Sequence, residues 1–146
     1  MDVRSADPII LSGQCHCGAV QFEVTLRDGL ASARRCNCSY CAMRGAVAVT
    51  ADRNGLKLVA GDEKLSTYRF NTDIAEHHFC LDCGIYTHHR RRSKPDELGV
   101  NVACLDGLSP FDFPEVPVNE GRTHPHDRTD GKRDVIAEWL RYTPAP

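Results

Sequence analysis

Seven of the eight cysteines of this chain fall into three tight groups, and this grouping constrains the fold more than any other feature. The groups are Cys15-His16-Cys17, Cys36-Asn37-Cys38-Ser39-Tyr40-Cys41 and Cys80-Leu81-Asp82-Cys83. The N-terminal stretch MDVRSADPIILSG lacks the apolar core of a signal peptide, so we expect a cytoplasmic protein. Because cytosolic thiols are kept reduced, clustered cysteines in such a protein predict metal sites rather than disulfides.

Two of the groups are cysteine pairs that complement each other. Cys80 and Cys83 are separated by two residues and followed by Gly84, which allows the turn to fold back beneath the sulfurs. Cys15 and Cys17 form a tighter pair. A structural zinc ion takes four ligands at the corners of a tetrahedron. The two pairs therefore predict one closed zinc site that joins the start of the chain to its middle and contributes to folding.

The third group supplies three thiolates from one short turn and no fourth ligand. An open fourth position is typical of a catalytic zinc ion. We therefore predict that Cys36, Cys38 and Cys41 hold a second zinc ion, which makes two per chain, and that its remaining position is open to substrate. In the alternative, the second site is structural as well and is closed by one further residue, namely Cys104, His77, His78, His88 or His89.

Basic side chains lie close to the cysteine groups in the sequence. Arg34 and Arg35 precede the three-cysteine group and Arg44 follows it, where they can offset thiolate charge and lower thiol pKa values. A second basic run, from His88 to Arg92, follows the last pair. Because the planar guanidinium fork matches a carboxylate, the predicted contacts to an anionic substrate are Arg44, Arg90, Arg91 and Arg92.

Charge and hydropathy exclude two classes of partner. A net charge of -2, from 18 basic and 20 acidic side chains, provides no basic field for nucleic acid. The apolar runs are strand-sized, far shorter than the roughly 18 residues of a membrane-spanning helix. With 146 residues the chain is sized for one domain. We expect neither nucleic acid nor a membrane as a partner.

Apolar and polar residues alternate in short segments, which predicts a mainly β fold. In the first of them, Val20, Phe22, Val24 and Leu26 alternate with polar residues. Further strands are predicted at residues 45–50, 55–60, 64–70, 76–80, 85–90 and 98–105. Six of the eight prolines follow Leu105, so residues 106–128 are predicted to be extended and to contain no central paired strand.

One helix is predicted near the C-terminus. Val135, Ile136, Trp139 and Leu140 recur at helical spacing, and Thr129 or Asp130 precedes them as a possible N-cap. Such a helix is expected to bury Trp139. The predicted organisation is an N-terminal arm at residues 1–11, a zinc domain at 12–107, and at 108–146 a proline-rich extension with the helix, packed on the same domain.

Four segments carry a resemblance to a known family: GQCHCGAVQFEV, RRCNCSYCAMRGAV, FCLDCGIYTHHRRR and LGVNVACLDG. They resemble the glutathione-dependent formaldehyde-activating enzymes, also called the centromere-protein-V/GFA domain, over about residues 12–107. The resemblance implies several small coiled antiparallel sheets held by zinc, a β-tent. It also implies one zinc ion at the active centre, held by Cys36, Cys38 and Cys41, and one structural zinc ion, held by Cys15, Cys17, Cys80 and Cys83.

The resemblance further implies a carbon–sulfur lyase. Glutathione and formaldehyde would combine to S-(hydroxymethyl)glutathione, and the reverse reaction would break the carbon–sulfur bond. Independently of the family, a zinc ion held by three thiolates is soft and favours a small thiol, which could attack an aldehyde. The alternatives are a carrier or interaction module that binds zinc and thiol without turnover, and a reductase using Cys104, which we predict to be a core residue instead.

Overall fold

The computed structural model describes residues 1–132 and 135–146. Most of the regular structure in these residues consists of short strands. The first six strands are β1 (Ile9–Gln14), β2 (Gln21–Leu26), β3 (Arg35–Cys36), β4 (Ala48–Asp52), β5 (Leu56–Ala60) and β6 (Leu65–Tyr68). The remaining strands are β7 (Glu76–Cys80), β8 (Tyr86–Arg90), β9 (Glu97–Asn101), β10 (Glu115–Asn119) and β11 (Ile136–Arg141). One α-helix, α1 (Ser39–Arg44), follows β3, and single 3-10 turns lie at Asp62–Lys64, Val102–Cys104, Pro110–Asp112 and Pro125–Asp127.

The strands form three small sheets, which confirms the predicted mainly β architecture. Two of the sheets are antiparallel, with strand orders β1-β2-β5 and β4-β9-β8-β7-β6. In the third, β10 pairs antiparallel with β11 and, over two residues, parallel with β3. None of the helices among the described residues is long and apolar enough to cross a bilayer.

A single main core lies between the sheets. Phe22, Val24 and Leu26 on β2 point inward because they alternate with polar residues, and they join Val49 and Val100 from the five-stranded sheet. Each such side chain contributes about 1.5–3 kcal/mol when it is buried. This core holds the turns that carry the cysteine groups in fixed positions relative to one another.

The predicted C-terminal helix is wrong, because this segment forms β11. Leu140 packs on the core opposite Val116, while Trp139, expected to be buried, is 48% exposed. Pairing with β10 therefore overrides the helical spacing of the apolar residues. The α-helix of the described residues is α1, which has only six residues and shows no apolar stripe.

Three further segments differ from their predictions. The predicted arm is wrong from Ile9 onward, because β1 begins there and pairs with β2. The strand predicted at 98–105 ends at Asn101 and continues as a 3-10 turn. The exclusion of a central strand from residues 106–128 is also wrong, because β10 lies between β11 and β3. Pro117 is tolerated there because β3 pairs only with Val118 and Asn119.

His88 on β8 is expected to remain neutral down to acidic pH. Its ring is buried, stacks on His78 with 4.5 Å between centroids, and shares a 2.9 Å hydrogen bond with Thr87. Burial lowers the pKa of His88 from 6.5 to about 3. In the unfolded chain the ring protonates below about pH 6.5. The free energy of unfolding therefore falls by up to about 1.4 kcal/mol for each pH unit as the pH drops from about 6.5 to about 3.

An NMR titration of the histidine ring signals, assigned with the variant His88→Gln, tests this expectation. The His88 signal should not shift between pH 8 and about pH 5. A midpoint near the usual histidine pKa would contradict it.

Candidate metal centres

Four cysteine sulfurs lie together at two turns, one between β1 and β2 and the other between β7 and β8. Cys15 and Cys17 lie in the turn from β1 to β2, and Cys80 and Cys83 lie where β7 turns into β8; all four sulfurs are within 4.8 Å of one another. The sulfur of Cys17 lies 3.7 Å from those of Cys15 and Cys80. A tetrahedral site with zinc–sulfur bonds of about 2.3 Å has sulfur–sulfur edges of about 3.8 Å. The arrangement therefore fits one tetrahedral metal ion.

The two turns are built to present these sulfurs. The Val20 amide donates to Cys15 Sγ at 3.3 Å, and the Gly84 amide donates to the Cys80 carbonyl at 2.8 Å. Gly84 adopts a φ of 76°, in the left-handed region that favours glycine. Cys15 and Cys80 are buried against Val20 in a small core of their own. The cluster thus joins two sheets through its sulfurs.

The second cluster lies on β3 and α1. Cys36 ends β3, Cys38 caps the N-terminus of α1, and Cys41 lies in its first turn, with the three sulfurs within 4.8 Å of one another. The Cys41 amide donates to Cys38 Sγ at 3.3 Å, and the Cys38 amide donates to Cys36 Sγ at 3.4 Å. These backbone hydrogen bonds favour the thiolate form.

No fourth cysteine, histidine or carboxylate of residues 1–132 and 135–146 belongs to this group. The alternative ligand Cys104 lies instead in the core, where its Sγ donates to the Tyr86 carbonyl at 3.5 Å. Burial raises the pKa of the Cys104 thiol to about 12, which is unsuited to redox chemistry. The prediction that Cys104 is a core residue is confirmed, although a 3-10 turn rather than a strand carries it.

The close approach of the three sulfurs makes their pKa values unequal. The pKa of Cys38 is lowered, chiefly because the Cys36 and Cys41 thiols donate to its sulfur. The pKa of Cys41 is raised, first by the hydrogen bond with Cys36 and then by that with Cys38. A metal ion would replace the shared protons and allow all three sulfurs to ionise.

Arg44 is a cation in direct contact with the cluster. Its Nη2 donates to Cys41 Sγ at 3.4 Å, and its guanidinium carbon lies 3.7 Å from the ring centroid of Tyr86 and 5.0 Å from that of Tyr40. Its Nη1 lies 2.9 Å from His77 Nδ1. Because arginine stays protonated, Nη1 donates and the His77 ring accepts. Burial, followed by the charge of Arg44, lowers the pKa of His77 to about 4, which keeps the ring neutral.

A cavity of about 640 Å³ opens beside the three-cysteine cluster. Its charged lining is mostly basic and includes Arg34, Arg35, Arg44, Arg91, Arg92 and Arg122, with Glu120 and Asp127 as the acidic residues. The lining also includes His77, His89 and His124. The cavity can therefore accept an anionic molecule beside the sulfurs.

The four arginines predicted from sequence as carboxylate contacts have different surroundings. Arg44, Arg91 and Arg92 line the cavity, whereas Arg90 does not. Arg90 donates instead to the Pro95 carbonyl and to Glu76. Arg91 is buried and donates to Thr50 Oγ1 at 2.8 Å, and Arg92 pairs with Asp127. All four guanidinium groups are thus engaged within the protein.

From the sequence, Arg34 and Arg35 are predicted only to offset thiolate charge and to lower thiol pKa values. Both line the cavity, and their side chains form no ion pair or hydrogen bond with any other described residue. Arg122 and His124 are not among the site residues predicted from the sequence. They reach the cavity because β10 pairs with β3, a contact between segments more than 80 residues apart that leaves no local signal in the sequence.

Comparisons with known proteins agree with this arrangement. The sequence model of the family described as "Glutathione-dependent formaldehyde-activating enzyme" matches residues 10–117. A curated protein of Halomonas elongata, which carries the same enzyme name provisionally, is 34% identical over 84 residues, or 51% of this chain and 52% of that protein. The chain thus spans about half the length of this curated relative.

A solved structure provides a second comparison. The crystal structure of a Rhodobacter sphaeroides protein is similar with a TM-score of 0.73 and 56% sequence identity, over 74% of this chain and 99% of that one. The family match includes all seven clustered cysteines and well over half of the sequence. The chain therefore belongs to the glutathione-dependent formaldehyde-activating enzyme family.

Proposed function

We propose that this protein is a zinc-dependent carbon–sulfur lyase that acts on a thiol–aldehyde adduct, with glutathione and formaldehyde as the thiol and the aldehyde. The observation that carries the proposal is the cluster of Cys36, Cys38 and Cys41, with no fourth ligand among the described residues, in a cavity lined by cations. The family name supplies the two substrates. The competing function is that of a carrier or interaction module that binds zinc and thiol without turnover.

Two zinc ions per chain follow from the donor sets. Cys15, Cys17, Cys80 and Cys83 would hold a structural ion, because four thiolates complete its coordination. The three-cysteine cluster would hold the second. When bound there, zinc supplies a soft fourth position that favours a thiolate and lowers the pKa of a substrate thiol towards neutrality.

The reaction adds a thiol across an aldehyde. A carbon–sulfur bond forms, the electron pair of the carbonyl π bond moves to oxygen, and the proton lost by the thiol ends on that oxygen. No electrons are gained or lost overall, so no redox partner is required. In the reverse direction the same bond breaks, and the thiol and the aldehyde are released.

The side chains of this chain position the reactants. Arg44 holds Cys41 through its hydrogen bond and is itself held by the ring of Tyr86, so it keeps the cluster in shape and offsets its negative charge. Arg34 and Arg35, which have no partner within the described part of the chain, are available for carboxylates of the thiol. Arg91 and Arg92 shape the cavity wall, because their own partners already engage them.

We expect Arg35→Ala to raise the KM for glutathione about tenfold, since one charge-assisted hydrogen bond is worth about 1.5–3 kcal/mol. The KM for the uncharged thiol 2-mercaptoethanol should not change. Arg90→Ala is the matched control, because it removes the same guanidinium group from a position outside the cavity lining. Equal effects of Arg35→Ala on both thiols would contradict the assignment.

The proposed activity is tested by NMR exchange spectroscopy on a mixture of glutathione and formaldehyde. The zinc-loaded protein should accelerate exchange between free glutathione and S-(hydroxymethyl)glutathione beyond the spontaneous rate, and Cys38→Ser should not. Binding of glutathione without acceleration would favour the carrier account.

A further inference from the structure

Residues Asn119–Asp127, here called the strap, lie against the three-cysteine cluster although they follow the segment matched by the family. The strap begins at the end of β10, where Asn119 pairs with Cys36 in parallel register. The Asn37 amide donates to the Asn119 carbonyl at 3.3 Å. The sheet therefore brings the start of the strap directly to the cysteines.

Gly121 makes the closest approach. Its amide donates to Asn37 Oδ1 at 2.7 Å, which ties the strap to the residue between two of the cysteines. A Cβ atom at this position would overlap Cys36 Sγ and lie 2.9 Å from Cys38 Cβ. Only glycine fits without displacing a sulfur, because real Cβ contacts are essentially never this short.

The far end of the strap has an anchor of its own. Both terminal nitrogens of Arg92 donate to the Asp127 carboxylate, at 3.2 and 3.1 Å. An exposed ion pair contributes little to the free energy of unfolding, but a two-point contact fixes the direction of both groups. Gly121 and Asp127 thus hold the strap at two points.

Between these anchors the strap presents Arg122 and His124 to the cavity. The amide of Arg122 donates to the Glu120 carboxylate at 2.7 Å, which turns the chain locally and places a cationic residue in the cavity lining. Arg122 belongs to the strap and Arg34 and Arg35 directly precede Cys36, so two separate segments supply arginines to the cavity lining. An extended anion with two carboxylates could reach both segments.

We propose that the strap is the specificity-determining wall of the thiol site. The backbone at Gly121 closes the side of the cluster formed by Cys36 and Cys38, and Arg122 selects thiols that carry a negative charge. The wall follows from the geometry alone, whereas the selection of thiols rests on the proposed function.

The wall is tested by cysteine-resolved alkylation, in which iodoacetamide labelling of each cysteine is followed by mass spectrometry on the zinc-loaded protein. Gly121→Ala should increase the labelling rate of Cys36 and Cys38 by about tenfold or more, and should lower the zinc content by one ion. Labelling of Cys15 and Cys80 should be unchanged, which shows that the protein is folded. Thr123→Ala, an exposed position on the strap, is the matched control.

A second variant keeps the test decisive if Gly121→Ala does not fold. Asp127→Asn removes the charge that holds Arg92 and should also increase labelling of Cys36 and Cys38, whereas Asp130→Asn, which lies beyond the strap, should not. Wild-type labelling rates in both Gly121→Ala and Asp127→Asn would overturn the proposal.

The selection of thiols is tested separately. Arg122→Ala should raise the KM for glutathione about tenfold, leave its kcat unchanged, and leave the KM for 2-mercaptoethanol unchanged. An equal change for both thiols would overturn the role of Arg122. If the wild-type protein shows no turnover, the proposed lyase fails, and the labelling experiment still decides whether the strap forms the wall.

Discussion

Replacing Cys17 by serine is expected to abolish the cooperative fold. The Cys17 side chain is exposed, and serine differs from cysteine by one atom, so the change would alter the free energy of unfolding by no more than about 0.5 kcal/mol if this sulfur had no ligand role. In the proposed structural site, however, Cys17 supplies one of four metal ligands. A structural zinc ion contributes on the order of 10 kcal/mol in small zinc modules.

Circular dichroism during thermal and urea denaturation measures this effect. Cys17→Ser should show no folding transition, and Cys83→Ser should behave in the same way. Leu81→Ser provides the control, because Leu81 lies in the same turn as Cys83 and is 58% exposed. If Cys17→Ser is as stable as Leu81→Ser, the four-cysteine cluster does not hold a structural ion.

Replacing Cys38 by serine is expected to abolish the activity but, unlike the Cys17 replacement, to retain the fold. The three-cysteine cluster lies at the edge of the cavity on a two-residue strand and a short helix, so a metal ion held there would not join two sheets. Loss of one of three ligands should release the ion. We expect turnover to fall on the order of 10³-fold, about 4 kcal/mol of transition-state stabilisation.

Zinc content, circular dichroism and turnover of the same preparation separate these effects. Cys38→Ser should contain one zinc ion per chain and unfold cooperatively. Ala42→Ser, on the exposed side of the same helix, should retain two ions and full turnover. An unfolded Cys38→Ser protein would show that both clusters are structural, and the proposed difference between them would be lost.

The cysteine clusters were predictable from sequence because their members are local. Each short turn presents two or three sulfurs by its own geometry, and only the meeting of Cys15 and Cys17 with Cys80 and Cys83 depends on the rest of the fold. The strands were predictable for the same reason, since alternation along β2 is a property of neighbouring residues. The spacing of residues in the sequence was therefore sufficient to predict both the sets of metal-ligand cysteines and the mainly β architecture.

The cavity wall was not predictable, because it depends on pairing between distant segments. Ile136, Trp139 and Leu140 have helical spacing, and only the presence of β10 as a partner makes this segment a strand.

The partners of the arginines are equally non-local. Arg91 is buried against Thr50, which lies on β4, and Arg92 is held by Asp127 from the strap. A basic run in the sequence could not reveal which of its members face a substrate.

We expect the three-cysteine cluster to hold a metal ion whose fourth position accepts a thiol. The most direct measurement is the absorption spectrum of the cobalt-substituted protein during titration with glutathione. Binding of glutathione at that position should strengthen the sulfur-to-cobalt charge-transfer absorption and release about one proton per thiol near neutral pH. A spectrum that stays unchanged at saturating glutathione would contradict it.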